Sequence, residues 1–394
     1  MVNLSVTTCR AEPANPTLQV RLIQAFAGRT TVAICGGQTM KVQIGEKSAR
    51  KVGAGKEVMV KAVGDKVKTI WPNPDDEPNE AASVSLSLAN SDDPLSYRKP
   101  SMTDETIPTA ARPAKRFRGE MVITAEKGKL KFMNIVHLES YLRGVIAAEM
   151  PHESAMDALK AQAVTSRTFS LKVRERYKSK GYDLDDTSMS QMYSGVEAEH
   201  SETDAAVSET AGMVLKRSGE LIMADFYDDC GGVTSPGDGE ADFPPAVLDG
   251  PDDKKDFCAN GNYHQWKVEL KASEISKLIS RKDRKKIGDV RSFEIVARDI
   301  SGRATKVAIN GEEGSIEMRA ADFRGLVGYD RLKSTLMKVT SAEETIRIEG
   351  RGYGHGHGLC QAGAMGMATA PYNVKWRDIL KHYFPGVEIV QLVG

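Results

Sequence analysis

Three stretches of this sequence combine residue types that do chemistry. The first centres on Glu149. It follows Leu138, Leu142 and Val145 at spacings of four, three and four, so a helix that persists this far carries it on its apolar stripe. It also stands near that helix's C-terminus, whose partial negative charge opposes a carboxylate. Desolvation and the dipole both raise a carboxyl pKa, and a raised pKa is what a general acid needs near neutral pH. The plainer reading is a glutamate that reaches solvent at a helix end or accepts from nearby backbone amides.

The second is GRGYGHGHGLCQAGA, residues 350–364. As a strand, its period of two puts Arg351, Tyr353, His355 and His357 on one face and bare glycine on the other, open to close packing or a ligand. His355, His357 and Cys360 are metal-ligand types, although the two histidines suit hydrogen bonds to a carboxylate equally well. The spacing is neither HExxH nor GxGxxG, and no GKS or GKT follows, so nucleotide binding is a poor reading. The third is DDCGGVTS, residues 228–235, where Gly231-Gly232 marks a tight turn. Cys230 is a nucleophile there only with a distant histidine to serve it; otherwise it is structural. Cys230 and Cys258 read as a disulfide, as metal ligands or as two free thiols.

The elements that must position these residues are legible from periodicity. Residues 17–70 alternate like short strands with breaks at Gly36-Gly37, Gly53 and Gly55, which predicts a small β module. Between Pro72 and Pro113 lie seven of the chain's sixteen prolines, among Asp, Glu, Ser and Asn, which predicts a linker or insertion, with local order around SVSLSLA as the alternative. EMVITAEKGKLKFMNIV predicts a hairpin turning at Lys127-Gly128. HLESYLRGVIAAE predicts a helix stopped by Pro151. A second helix is expected from Ser154 as N-cap, with Asp157 at the third helical position, and its Ala- and Ser-rich middle admits another backbone. TDAAVSETAG predicts a helix ending at Gly212, and MVLKRSGELIMADFY a hairpin around Ser218-Gly219. More strands follow, with a short helix at 273–286 whose basic end, RKDRKK, reads as solvated, and then a last helix in CQAGAMGMATA. The fold class is therefore α+β: mixed, mainly antiparallel strands with several helices around a groove. The expected division is an N-terminal β module at 1–71, a Pro- and acid-rich linker or insertion at 72–112, and a main domain at 113–394.

Composition narrows the function classes. Among 394 residues, 54 Lys plus Arg face 54 Asp plus Glu, so the formal net charge is zero and a protein held to nucleic acid by a basic surface is not expected. No stretch approaches the roughly 20 apolar residues of a membrane span. Five cysteines (Cys9, Cys35, Cys230, Cys258, Cys360) are too few and scattered for a disulfide framework, and none forms a CxxC pair. The first twenty residues contain no apolar core of signal-peptide length.

Taken together, HLESYLRGVIAAEMPHESAMDALKAQAVTSRTFSL, SQMYSG, AVSETAGMVLKRSGELIMADFYDDCGGVTS and RIEGRGYGHGHGLCQAGAMGMA resemble, in order and spacing, the stage II sporulation protein D (SpoIID/LytB) family over roughly residues 113–394. That resemblance implies a lytic transglycosylase. It would cleave the MurNAc–GlcNAc bond of bacterial cell-wall glycan, in strands stripped of stem peptides, to 1,6-anhydroMurNAc ends. The family's acid maps onto Glu149 and its GHG histidine onto His355, which would orient Glu149 or a sugar hydroxyl. Gln162, Arg167, Tyr193, Tyr353, His357 and Gln361 complete the implied substrate-binding set. No cofactor is required. Some members bind zinc, and here Cys230, Cys258 and His264 form the ligand set on offer. The sequence departs from the family at His357, where Val is common, at Cys360, where Ser is common, and at Asp228-Asp229 before Cys230. The implied partners are peptidoglycan strands and, for relatives described as enhancers, a cell-wall amidase. A periplasmic or cell-wall location follows. The competing readings are a glycan-binding module that enhances an amidase without cleaving, and a metal hydrolase built on His355, His357 and Cys360.

Overall fold

The computed structural model describes residues 15–98, 114–236, 243–251, 255–283, 287–342 and 345–392. Cys9, the 99–112 part of the expected linker and the last three residues of RKDRKK lie outside them. The chain divides into two compact units, one built from residues up to Glu153 with Ser170–Val214 and the chain from Val390, the other from Ser154–Phe169 and Leu215–Ile389. The fold is α+β, and most strand pairs are antiparallel.

The first unit is built on two sheets. A seven-stranded sheet runs in the order Leu184–Asp185, Thr17–Leu22, Lys129–His137, Glu120–Glu126, Ser83–Leu88, Met40–Ile44, Arg50–Val52. The six-stranded sheet runs Lys115–Phe117, Leu95–Arg98, Thr31–Gly36, Val58–Val63, Lys66–Ile70, Asn79–Ala81. Phe26 joins their inner faces. Its ring stacks on Phe132 of the first sheet at 4.1 Å and meets Tyr97 and Phe117 of the second at 5.5 and 5.7 Å. The loop bearing Phe26 is held by the buried Asp186, whose carboxylate accepts from the amides of Ile23, Gln24 and Ala25 at 2.6–3.1 Å. The hairpin expected at Lys127-Gly128 forms, with both residues at positive φ, 50° and 73°.

Residues 79–98, inside the segment expected to be a linker, form three strands. In Ser83–Leu88, Val84, Leu86 and Leu88 are buried while the serines between them are partly exposed. This period of two outweighs the surrounding proline and acid content, because one face of the strand completes a sheet between Glu120–Glu126 and Met40–Ile44. The strands that flank the two expected boundaries, Lys66–Ile70 with Asn79–Ala81 and Leu95–Arg98 with Lys115–Phe117, belong to one sheet.

Helices α1 (Leu138–Glu149), α2 (Met156–Val173) and α3 (Ser201–Glu209) follow. Helix α2 starts one residue later than expected and without the expected capping box. Ser154 Oγ instead donates to Met365 Sδ at 3.2 Å, and Asp157 accepts from Trp376 N and Lys375 Nζ at 3.1 and 3.2 Å. Every residue from Ala161 to Leu171 is buried. The polar ones are tolerated because they turn inward: Thr165 and Thr168 donate to the carbonyls of Ala161 and Val164 at 2.8 and 2.7 Å.

The second unit carries α4 (Ala272–Asp283), α5 (Ala320–Val327), α6 (Gln361–Ala368) and α7 (Trp376–Tyr383). Two three-stranded antiparallel sheets, Trp266–Lys271/Thr345–Gly350/Met337–Ala342 and Val290–Arg298/Ala304–Gly311/Ser315–Arg319, share one core with α4 and α5. A short parallel pair, Phe226–Tyr227 with Leu359–Cys360, ties the CGG turn to the start of α6.

Candidate active site

Helix α1 buries Leu138, Tyr141, Leu142, Val145 and Ile146, the stripe expected from spacing, and Glu149 is its last residue. Met150 then turns extended and returns its N–H to Ile146 O at 2.9 Å. The Glu149 carboxyl is partly buried and accepts from the Met192 amide at 2.6 Å. Burial raises its pKa from the ordinary 4.5 to about 7, against the Met192 N–H, which favours the anion.

Residues 190–193, SQMY, are anchored so that this amide is presented. Gln191 is fully buried and donates to Ser170 Oγ at 2.8 Å. Tyr193 donates to Asn134 Oδ1 at 2.9 Å, and its ring lies 4.7 Å from that of Tyr141. Gly144 makes the room: a Cβ there would stand 2.7 Å from Tyr193 Cε2. One partner of Glu149 is thus a backbone group, which leaves no mark on residue type. Gln191, which holds it in place, was also passed over by the sequence reading.

The glycine-rich stretch is not a strand. Gly352, Gly354, Gly356 and Gly358 all have positive φ, so the chain is a kinked strap and the expected alternation of faces does not apply. Glycine is required where the strap lies on residues 225–231: a Cβ on Gly354 would come within 2.5 Å of Tyr227 Cβ, and one on Gly352 within 2.5 Å of Asp229 O. Tyr353 exchanges backbone hydrogen bonds with Asp229 at 2.8 and 3.0 Å, and its hydroxyl donates to Asp330 at 3.0 Å. His355 is exposed, yet both ring nitrogens are engaged within the strap's own surroundings. His357 N–H donates to Nδ1 at 3.1 Å, so Nδ1 is unprotonated and Nε2–H donates to Phe226 O at 3.1 Å. His357 packs 5.2 Å from His355 and 5.4 Å from Phe243, ring to ring.

Several expected substrate contacts are buried. Arg167 and Gln162 are fully inaccessible, and Tyr193 and Gln361 are 4% and 8% exposed. Arg167 Nη1 donates to Ala163 O at 3.4 Å within α2. Gln162 donates to Ser166 Oγ at 3.0 Å and accepts from Gln361 Nε2 at 3.3 Å, an amide pair made by residues far apart in sequence. These four side chains, expected to meet substrate, are thus largely withdrawn from solvent.

The cysteines converge, although differently from either sequence reading. Cys230 Sγ lies 3.5 Å from Cys258 Sγ, and Cys258 Sγ lies 3.3 Å from His264 Nδ1. Cys360 does not join His355 and His357. Instead its Sγ accepts from Cys230 N and Gly363 N at 3.2 and 3.3 Å, and the ligand atoms of Asp229, Cys230, Cys258 and Cys360 all lie within 4.8 Å of one another. All four residues are buried. Glu149 and Tyr193 belong to the first unit; Gln162, Arg167, Tyr353, His355, His357, Gln361, His264 and the three cysteines belong to the second.

Residues 126–216 match the family described as Stage II sporulation protein, SpoIID. The chain carries a SpoIID domain. This SpoIID match spans Glu149, Gln162, Arg167 and Tyr193, together with the Met192 amide. Residues 247–358 match a separate family described as a domain of unknown function, DUF8618, which takes in Cys258, His264, Tyr353, His355 and His357. Around its SpoIID domain the chain is 28% identical over 275 residues to an uncharacterized protein of Brachyspira hyodysenteriae, covering 70% of this chain and 72% of that one. It is 29% identical to stage II sporulation protein D of Bacillus subtilis, over 64% of this chain and 74% of the relative. Against the amidase enhancer of Bacillus subtilis it is 28% identical over 63% of this chain but spans only 40% of the relative. Among the described residues, no helix is long and apolar enough to cross a membrane.

Proposed function

We propose that this chain is a peptidoglycan lytic transglycosylase in which Glu149 is first acid, then base. One observation carries the reading: a carboxyl at the end of α1 whose pKa burial raises to about 7, held by the Met192 amide. Its similarity to stage II sporulation protein D supports the choice of cell-wall glycan as substrate. Protonated Glu149 gives its proton to the oxygen linking MurNAc C1 to GlcNAc, and the C1–O bond breaks. The Glu149 carboxylate then takes the proton of the same MurNAc's C6 hydroxyl as O6 bonds to C1, closing the 1,6-anhydro ring. No water is consumed and the carboxyl is regenerated. Glycosidases that use water or a protein nucleophile need a second carboxylate; a nucleophile supplied by the substrate makes one sufficient. His355 enters as a neutral ring whose one N–H is committed to Phe226 O, and so not as a second acid. Such a substrate requires a periplasmic or cell-wall location.

The amidase enhancer's name supports a second reading, a glycan-binding module that assists an amidase. Incubating the purified chain and its Glu149→Gln variant with peptide-stripped glycan, followed by mass spectrometry, separates the two. Anhydro-muramyl ends from the wild type, reduced at least a thousandfold in the variant, are the expected result. Glycan binding without any such ends would establish the module reading instead.

A further inference from the structure

We infer that the second unit contains a closed structural site for a zinc-class divalent metal, with Cys230, Cys258 and Cys360 as thiolate ligands and Asp229 Oδ2 as the fourth. The inference does not depend on the Glu149 chemistry.

Three observations carry it. First, the sulfurs of Cys230, Cys258 and Cys360 and a carboxylate oxygen of Asp229 already lie within 4.8 Å of one another among buried residues, and they come from separate segments: the CGG turn, the 257–260 helical turn and the start of α6. The Cys230–Cys258 sulfur separation of 3.5 Å is far beyond the ~2.05 Å of a disulfide. It is close to the edge of a tetrahedron with metal–sulfur bonds of ~2.3 Å, about 3.8 Å. Second, Asp229 is 1% exposed, and while its Oδ1 accepts from Gly231 N at 2.7 Å, its Oδ2 has no hydrogen-bond partner among the described residues. A buried carboxylate oxygen left in this way is costly unless a cation takes it.

Third, the hydrogen bonds aim donors at sulfur. Cys360 Sγ accepts two backbone N–H groups. His264 Nε2 lies 2.9 Å from Arg351 Nη2, and a guanidinium can only donate, so Nε2 accepts. In the neutral ring Nδ1 then carries the proton and points it at Cys258 Sγ, 3.3 Å away, with Asp229 Oδ1 at 3.5 Å. A protonated Nδ1 cannot ligate. His264 is therefore an orienting partner outside the ligand shell, and Cys360 takes the place that the sequence reading assigned to it. Four buried protein ligands leave no open coordination position, so the site is structural rather than hydrolytic.

The full-length chain, purified without chelator, is expected to hold about one equivalent of zinc by mass spectrometry of the metal. X-ray absorption at the zinc edge should show three sulfurs at ~2.3 Å and one oxygen. Cobalt replacement should give a thiolate-to-cobalt charge-transfer band whose intensity matches three thiolates. Cys360→Ser should lower that band by about a third or abolish binding. His264→Ala should retain stoichiometry with affinity reduced ~10–100-fold, and Cys35→Ser should change nothing. A shell of two sulfurs with a histidine nitrogen, loss of the cobalt band in His264→Ala, absence of stoichiometric uptake, or an intact mass two hydrogens short from a Cys230–Cys258 disulfide would each overturn the assignment.

Discussion

At the scale of single residues, desolvation outweighs one backbone donor and raises the Glu149 carboxyl to about 7. The sign of the linkage follows. With an unfolded value of 4.5 and a folded value of about 7, the folded chain binds more protons between these limits. This carboxyl's contribution to stability therefore falls as pH rises from about 4.5 to 7 and levels off above, by at most about 3 kcal/mol. Glu149→Gln keeps an acceptor for Met192 N–H and removes the ionisation. Its unfolding free energy, measured by urea titration at pH 4 and pH 8, should match the wild type at the lower pH and exceed it at the higher. Equal values at both would mean that Glu149 is solvated. The position of Glu149 on an apolar stripe was legible in the sequence. Its backbone partner was not, because a backbone amide has no residue signature and Met192 reaches the helix end only through the anchoring of Gln191 and Tyr193.

At the scale of elements, the strap at 350–358 shows why a period of two does not always mean a strand. Alternate glycines can equally mark alternate positive φ, and here the neighbouring segment lies too close for any Cβ. Gly354→Ala should lower stability by about 2–4 kcal/mol, since it adds a clash with Tyr227 to backbone strain. Gly386→Ala is the control: it also sits at positive φ but has open space around it, and should cost about 1 kcal/mol. Equal denaturation midpoints for the two variants would show that close packing is not what demands glycine. Strand Ser83–Leu88 is the converse case. Its alternation was present in SVSLSLA, yet the surrounding prolines and acids pointed to a linker, and only the two flanking strands decide between these readings.

At the scale of the whole molecule, each unit has its own core, and the proposed metal pins three segments of the second unit only. Chelation of the metal-loaded chain should therefore raise hydrogen exchange in residues 226–235, 257–264 and 359–368, and leave exchange in strands 17–22 and 129–137 unchanged, as read by mass spectrometry. A uniform rise in both regions would contradict a local structural role. The sequence by itself determined the α+β class, the hairpin at Lys127-Gly128, the apolar face of α1 and the acid on it, because these depend on local periodicity and turn chemistry. Tertiary structure alone decided which groups meet. Cys230, Cys258 and Cys360 converge, Gln162 pairs with Gln361, and Arg167 is sealed inside, because such contacts join residues tens to hundreds of positions apart, and no local pattern encodes the path that brings them together.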